Sequence, residues 1–114
     1  MTDASRELEF VYTPLFDAAT ADLLDDEALR RVELVLLVKP RAGAVVAGTG
    51  GIRKLRAPLP GRGKRGGARV LYLYIELRGC IYFLLAYAKN EQVDLTPGQK
   101  KVLRVMVKQL EELG

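Results

Sequence analysis

The chain of 114 residues reads as an α+β domain: a small antiparallel sheet of about four strands, two helices after the first strand and one helix at the end, in the order β-α-α-β-β-β-α. Three observations carry that reading. Apolar residues alternate with a period of two in several short stretches. They recur at three- and four-residue steps between Asp17 and Val38 and again after Thr96. Strands and helices also fail to alternate regularly, which argues against a wound α/β sheet.

The first strand is Glu7–Thr13, with Leu8, Phe10 and Tyr12 on one face and Pro14 as its end. Leu23, Leu24, Ala28, Leu29, Val32 and Leu36 then follow helical spacing, and Asp25 and Asp26 are placed to cap a second helix. A short helix to about Leu24 therefore precedes a longer one to about Lys39, which Pro40 and Gly43 stop. A small, glycine-rich stretch from Ala44 to Gly51 leads into the second strand, Ile52–Arg56, closed by Pro58. Residues 58–67, P-L-P-G-R-G-K-R-G-G, hold two prolines and four glycines and form a loop. The third strand, Ala68–Leu77, puts Arg69, Leu71, Leu73 and Ile75 on one face and Val70, Tyr72 and Tyr74 on the other, as a central strand does. Arg78-Gly79 supplies a two-residue turn to the fourth strand, Cys80–Ala88. The last helix opens with Thr96 as N-cap, Pro97 in the first helical position and Gln99 completing a capping box. Its apolar stripe is Val102, Leu103, Met106, Val107 and Leu110.

Hydrophobic residues are 49% of the chain and charged residues 28%, a balance that supports one folded core, so residues 1–114 are read as a single domain. No apolar stretch approaches the roughly 20 residues that cross a bilayer. The acidic start lacks the basic and apolar regions of a signal peptide, so a cytoplasmic protein without membrane contact is expected. Cys80 is the single cysteine and there is no histidine, which removes internal disulfides, zinc ligand sets and histidine-based acid–base chemistry. No metal and no cofactor are expected.

Net charge is +4, but its distribution is uneven. Residues 34–75 contain nine cations and no acid, giving +9, while residues 1–33 carry nine acids against three bases, giving −6. Such a block predicts a polyanionic partner. Tyr72, Tyr74, Tyr82 and Tyr87 lie in the two strands that follow it, and cations interleaved with aromatic faces suit single-stranded RNA. Tyrosine is also an ordinary strand residue, so the pattern is permissive. The loop cations Arg62, Lys64 and Arg65 sit among glycines whose N–H groups can approach a phosphodiester, although the run lacks the P-loop pattern. If Leu55 faces the core, Lys54 and Arg56 emerge together on the other face of their strand, about 7 Å apart. Arg53, Arg69 and Lys89 complete the cationic set.

RNA cleavage without histidine is chemically open to such a set. The 2′-hydroxyl must lose a proton and attack phosphorus, and the developing charge must be held. Arginine holds charge but does not act as base. A lysine crowded by other cations loses its proton more readily, since each neighbour disfavours a further charge.

The runs G-T-G-G-I-R-K-L-R (Gly48–Arg56), G-R-G-K-R-G-G-A-R-V-L-Y (Gly61–Tyr72), I-Y-F-L-L-A-Y-A-K-N (Ile81–Asn90) and D-L-T-P-G-Q-K-K (Asp94–Lys101) together resemble the RelE superfamily, specifically the HigB-like toxins of bacterial type II toxin–antitoxin modules. The resemblance implies a compact RelE-like fold and a metal-independent endoribonuclease, an mRNA interferase that acts in the ribosomal A site with a Lys/Arg-rich, histidine-free centre. It implies two partners: the ribosome with its mRNA and ribosomal RNA, and a cognate, DNA-binding, HigA-like antitoxin. By position, Lys54, Arg56, Arg69, Tyr87 and Lys89 are the catalytic candidates, and Arg53, Arg62, Lys64, Arg65, Tyr72 and Asn90 the RNA-binding ones. Here Asn90 follows the lysine where RelE itself has an arginine, and no tyrosine follows Tyr87. A non-catalytic nucleic-acid binder, or a gyrase-directed toxin of the related ParE group, is the alternative on the same fold.

Overall fold

A computed structural model describes residues 7–58 and 67–113. Its elements are β1 (Glu9–Tyr12), α1 (Pro14–Thr20), α2 (Asp26–Val38), β2 (Ala44–Val45), β3 (Arg53–Ala57), β4 (Ala68–Ile75), β5 (Cys80–Ala88) and α3 (Pro97–Glu112). The strands form one five-stranded sheet in the order β1-β5-β4-β3-β2. The α+β class and element order therefore hold, with differences in detail. The additional strand is the two-residue β2, paired antiparallel to β3 through Ala44↔Lys54 and Val45↔Arg53. The sheet is also mixed, because β1 runs parallel to β5, with Glu9↔Cys80 through Tyr12↔Phe83 in register.

Pro14 both ends β1 and begins α1. Proline is suited to the first helical turn, and Thr13 caps it by accepting from the Phe16 N–H at 3.2 Å while donating to the Phe83 carbonyl at 2.8 Å. The helix thus starts earlier than its apolar periodicity indicates and stops at Thr20, short of Leu24. Asp25 caps α2 as expected, accepting from the Ala28 N–H at 2.8 Å.

Helices α1 and α2 cover one face of the sheet. Phe16, Leu24, Ala28, Val32 and Leu36 pack there on Val70, Tyr72, Ile81 and Phe83. Phe83 is the hub, with ring centroids of Tyr12, Phe16 and Phe10 at 4.9, 5.2 and 5.7 Å. Full burial of one such ring stabilises the fold by about 1.5–3 kcal/mol. Helix α3 covers the other face, where Leu103 and Val107 meet Ile52, Leu71, Leu73 and Leu84. Met106 and Leu110 flank that contact, whereas Val102, read as part of the stripe, is 53% exposed. The capping box of Thr96 and Gln99 forms as read from sequence.

Two connections depart from the sequence reading. The β4–β5 turn is longer than Arg78-Gly79: Ile75 pairs with Cys80, and a 3₁₀ turn over Glu76–Arg78 followed by left-handed Gly79 joins them. Arg78 turns inward from it, donating to the Tyr82 hydroxyl and to the Leu110 and Glu111 carbonyls at the C-terminal end of α3. Between Leu71 and Tyr72 the β4–β5 register shifts, leaving Leu84 without a partner, so that Leu84 and Leu85 both face α3.

Candidate nucleic-acid interface

The site is built on the α3 side of β3, β4 and β5, at the edge of the area α3 covers. Its phase is set just before β3. Thr49 is fully buried, donates to the Val46 carbonyl at 2.7 Å and accepts from the Ile52 N–H at 3.2 Å, closing the G-T-G-G loop. Gly50, at φ 86°, fits there against Val107. With Ile52 fixed in the α3-side core, alternation sends Lys54 and Arg56 to that same face and Leu55 to the helix α1/α2 side.

Register then assembles the cluster. Arg56 pairs with Arg69, and Arg69 pairs with Tyr87, so three strands present these side chains in one row. Lys54 lies two residues from Arg56, in register with Leu71. Arg56 is exposed, while Arg69 is half-buried, and its Nη1 is buried and meets no acceptor among the described residues. An arginine N–H removed from water without a partner is costly, and an anion that reached it would relieve that cost.

Tyr87 is buried, with its hydroxyl donating to the Val93 carbonyl at 3.3 Å. Burial, and next the Asp94 carboxylate, push its phenol pKa up, with Arg69 acting in the opposite direction. The phenol therefore keeps its proton at neutral pH and serves as a donor. Lys89 and Asn90 are exposed just beyond the strand, where the Lys89 N–H donates to the Gly67 carbonyl at 3.0 Å.

Asp94 is the site residue that sequence reasoning missed. Its Oδ1 accepts from Lys54 Nζ at 3.3 Å, so Lys54 does not stand among cations alone, as the crowded-lysine reading requires. The missed signal lay in the motif D-L-T-P-G-Q, where Asp94 stands two residues before a helix cap. Gln92 Nε2 donates to the Asp94 carbonyl and to Gln99 Oε1, both at 2.9 Å, which ties the segment to the first turn of α3.

One expected RNA contact, Tyr72, is corrected, and another, Arg53, lies on the opposite face from the row. Tyr72 is fully buried on the α1/α2 side, its hydroxyl accepting from the Gly43 N–H at 2.9 Å and donating to the Pro40 carbonyl at 2.8 Å. It has no ring face left for a base. Arg53, in register with Tyr72, donates to the Arg41 and Gly43 carbonyls, at 3.2 and 2.7 Å. Alternation places it across the sheet from Lys54 and Arg56. Arg62, Lys64 and Arg65 lie outside the described residues.

No helix among the described residues is long and apolar enough to cross a membrane. A solved structure of an arginine-substituted mutant of the E. coli toxin RelE in the free state superposes with a TM-score of 0.55, covering 88% of this chain and 96% of that one at 14% identity. That likeness is one of fold. The family model described as the RelE toxin of the RelE/RelB toxin–antitoxin system matches residues 19–114. A match over that much of the sequence makes the chain a member of the RelE family of toxins, whose counterpart is an antitoxin.

Proposed function

We propose that this toxin is a ribosome-dependent mRNA endonuclease that arrests translation by cutting mRNA in the A site. The observation that carries the reading is the row Arg56–Arg69–Tyr87 with Lys54 beside it, whose middle arginine has a buried nitrogen that meets no acceptor among the described residues. Arg56 and Arg69 hold the phosphodiester and the charge that develops on it, and Lys54 takes the proton of the attacking 2′-hydroxyl. As the 2′-oxygen bonds to phosphorus the bond to the 5′-oxygen breaks and that oxygen takes a proton from water, leaving a cyclic phosphate, while Tyr87 donates a hydrogen bond from its protonated phenol. Lys89 and Asn90, with Arg62, Lys64 and Arg65, grip the flanking RNA. The antitoxin holds this activity in check.

The experiment is primer extension on mRNA from cells in which the toxin is induced. Discrete cuts support the endonuclease, and growth arrest without cuts points to a non-catalytic binder or a gyrase-directed toxin. Lys54→Ala is the most informative variant. If it cuts mRNA at the parental rate, Lys54 is not the proton-exchanging group.

A further inference from the structure

Two adjacent positions of one segment occupy two groups of the site. The Val93 carbonyl accepts from Tyr87, and the Asp94 carboxylate accepts from Lys54, each at 3.3 Å. The segment is anchored from behind, since Gln99 Oε1 accepts from both Gln92 Nε2 and the Thr96 N–H at the start of α3. Among the described residues, Lys54–Asp94 is also the single ion pair on the basic face; the others, Arg31–Glu27 and Arg41–Glu76, lie elsewhere. The Asp94 side chain is 72% exposed and that of Lys54 31%, so the pair can part without opening the core. A carboxylate oxygen held against an ammonium offers the charge and hydrogen-bonding character of a phosphodiester oxygen. Asp94 does not reach every donor of the row: Arg69 Nη1 has no acceptor among the described residues.

We propose that Asp94 is an internal stand-in for the RNA phosphate: its carboxylate occupies Lys54 while the site is empty, and a phosphodiester must displace it to engage Lys54 and Arg69 together. The inference rests on reading the basic face as an RNA site. Asp94 then works against the toxin's own affinity. RNA that arrives weakly is held off, and RNA presented firmly by other contacts takes the lysine.

The test measures fluorescence anisotropy of a labelled 2′-O-methyl RNA oligonucleotide, which lacks the attacking hydroxyl and stays intact, at low salt. Because the pair is exposed, Asp94→Asn should tighten binding by about two- to fivefold. Glu91→Gln, which removes an exposed carboxylate three residues away, should tighten it less. The advantage of Asp94→Asn should vanish when Lys54→Met is combined with it. The inference is overturned if Asp94→Asn binds no more tightly than Glu91→Gln, or if its gain persists without Lys54. Arg69→Ala separates this from the underlying reading. Lost binding in that variant leaves the RNA site standing whatever Asp94 does, whereas parental binding removes the site and the stand-in with it.

Discussion

Replacing Tyr72 with phenylalanine separates a structural tyrosine from an RNA contact. The ring stays in its place, fully buried between the sheet and α2, so packing changes by a single oxygen. What disappears is the hydroxyl that accepts from the Gly43 N–H at 2.9 Å and donates to the Pro40 carbonyl at 2.8 Å. Gly43 is buried, so its N–H is left without a partner at about 1–3 kcal/mol, and the half-buried Pro40 carbonyl adds about 1 kcal/mol. The sum is about 2–4 kcal/mol. For a chain of this size each kcal/mol moves the midpoint of thermal unfolding by about 4 °C, so Tyr72→Phe should melt about 8–16 °C below the parent. Urea unfolding should give a lower midpoint with an unchanged slope, since the surface exposed on unfolding is the same. RNA affinity, measured well below the transition, should not change. A variant that melts with the parent would refute the buried hydrogen-bond reasoning, and one that loses RNA binding at full stability would restore Tyr72 to the interface.

Other consequences are equally direct. Burial raises the pKa of the Tyr72, Tyr82 and Tyr87 phenols and of the Cys80 thiol, so the folded chain keeps protons that the unfolded chain has lost. Their contribution to stability is therefore full at neutral pH and lost as pH climbs from about 9 upward; urea unfolding free energies that stay flat to pH 11 would contradict this. Arg78→Ala removes the donors to Tyr82, Leu110 and Glu111 and should cost about 1–3 kcal/mol, with faster amide exchange confined to the end of α3. Gly43→Ala places a Cβ 2.8 Å from the Lys54 carbonyl and 3.0 Å from the Tyr72 ring, a backbone clash that should destabilise the fold by about 1–3 kcal/mol in the same melts. Thr96→Ala breaks the capping box and should cost about 1 kcal/mol without altering RNA affinity.

Elements with strong local signals were legible in the sequence. Asp25 and Thr96 announce their helices because capping is a contact between near neighbours, and the limits of β5 follow from an unbroken apolar run. The parallel pairing of β1 with β5 was not, because a period of two fixes which residues share a face and not which strand lies alongside. β2 escaped because two exposed residues carry no periodicity. At the site, alternation was enough to put Lys54 and Arg56 on a common face away from Leu55. The same alternation assigned Tyr72 to the face opposite Arg69, but not the hydroxyl's ties to Gly43 and Pro40, which depend on where the chain after α2 returns. Asp94 was invisible for a similar reason, since its partner Lys54 lies 40 residues earlier.

The unmatched Leu84 has a bearing on how this toxin can vary. Before it, the even-numbered positions Cys80 and Tyr82 look toward α3; after it, the odd-numbered Leu85 and Tyr87 do. One surplus residue inverts the parity of the strand. Strict alternation through Leu84, with no bulge, would turn Tyr87 beneath α1 and α2 and present Ala86 and Ala88 beside Arg69 instead. The bulge at Leu84 is thus a determinant of the site in its own right. Deleting Leu84 should join the Phe83–Tyr72 and Leu85–Leu71 pairs into one unbroken ladder and keep the row that Arg56, Arg69 and Tyr87 form, whereas flattening the bulge with Leu84 retained should break that row.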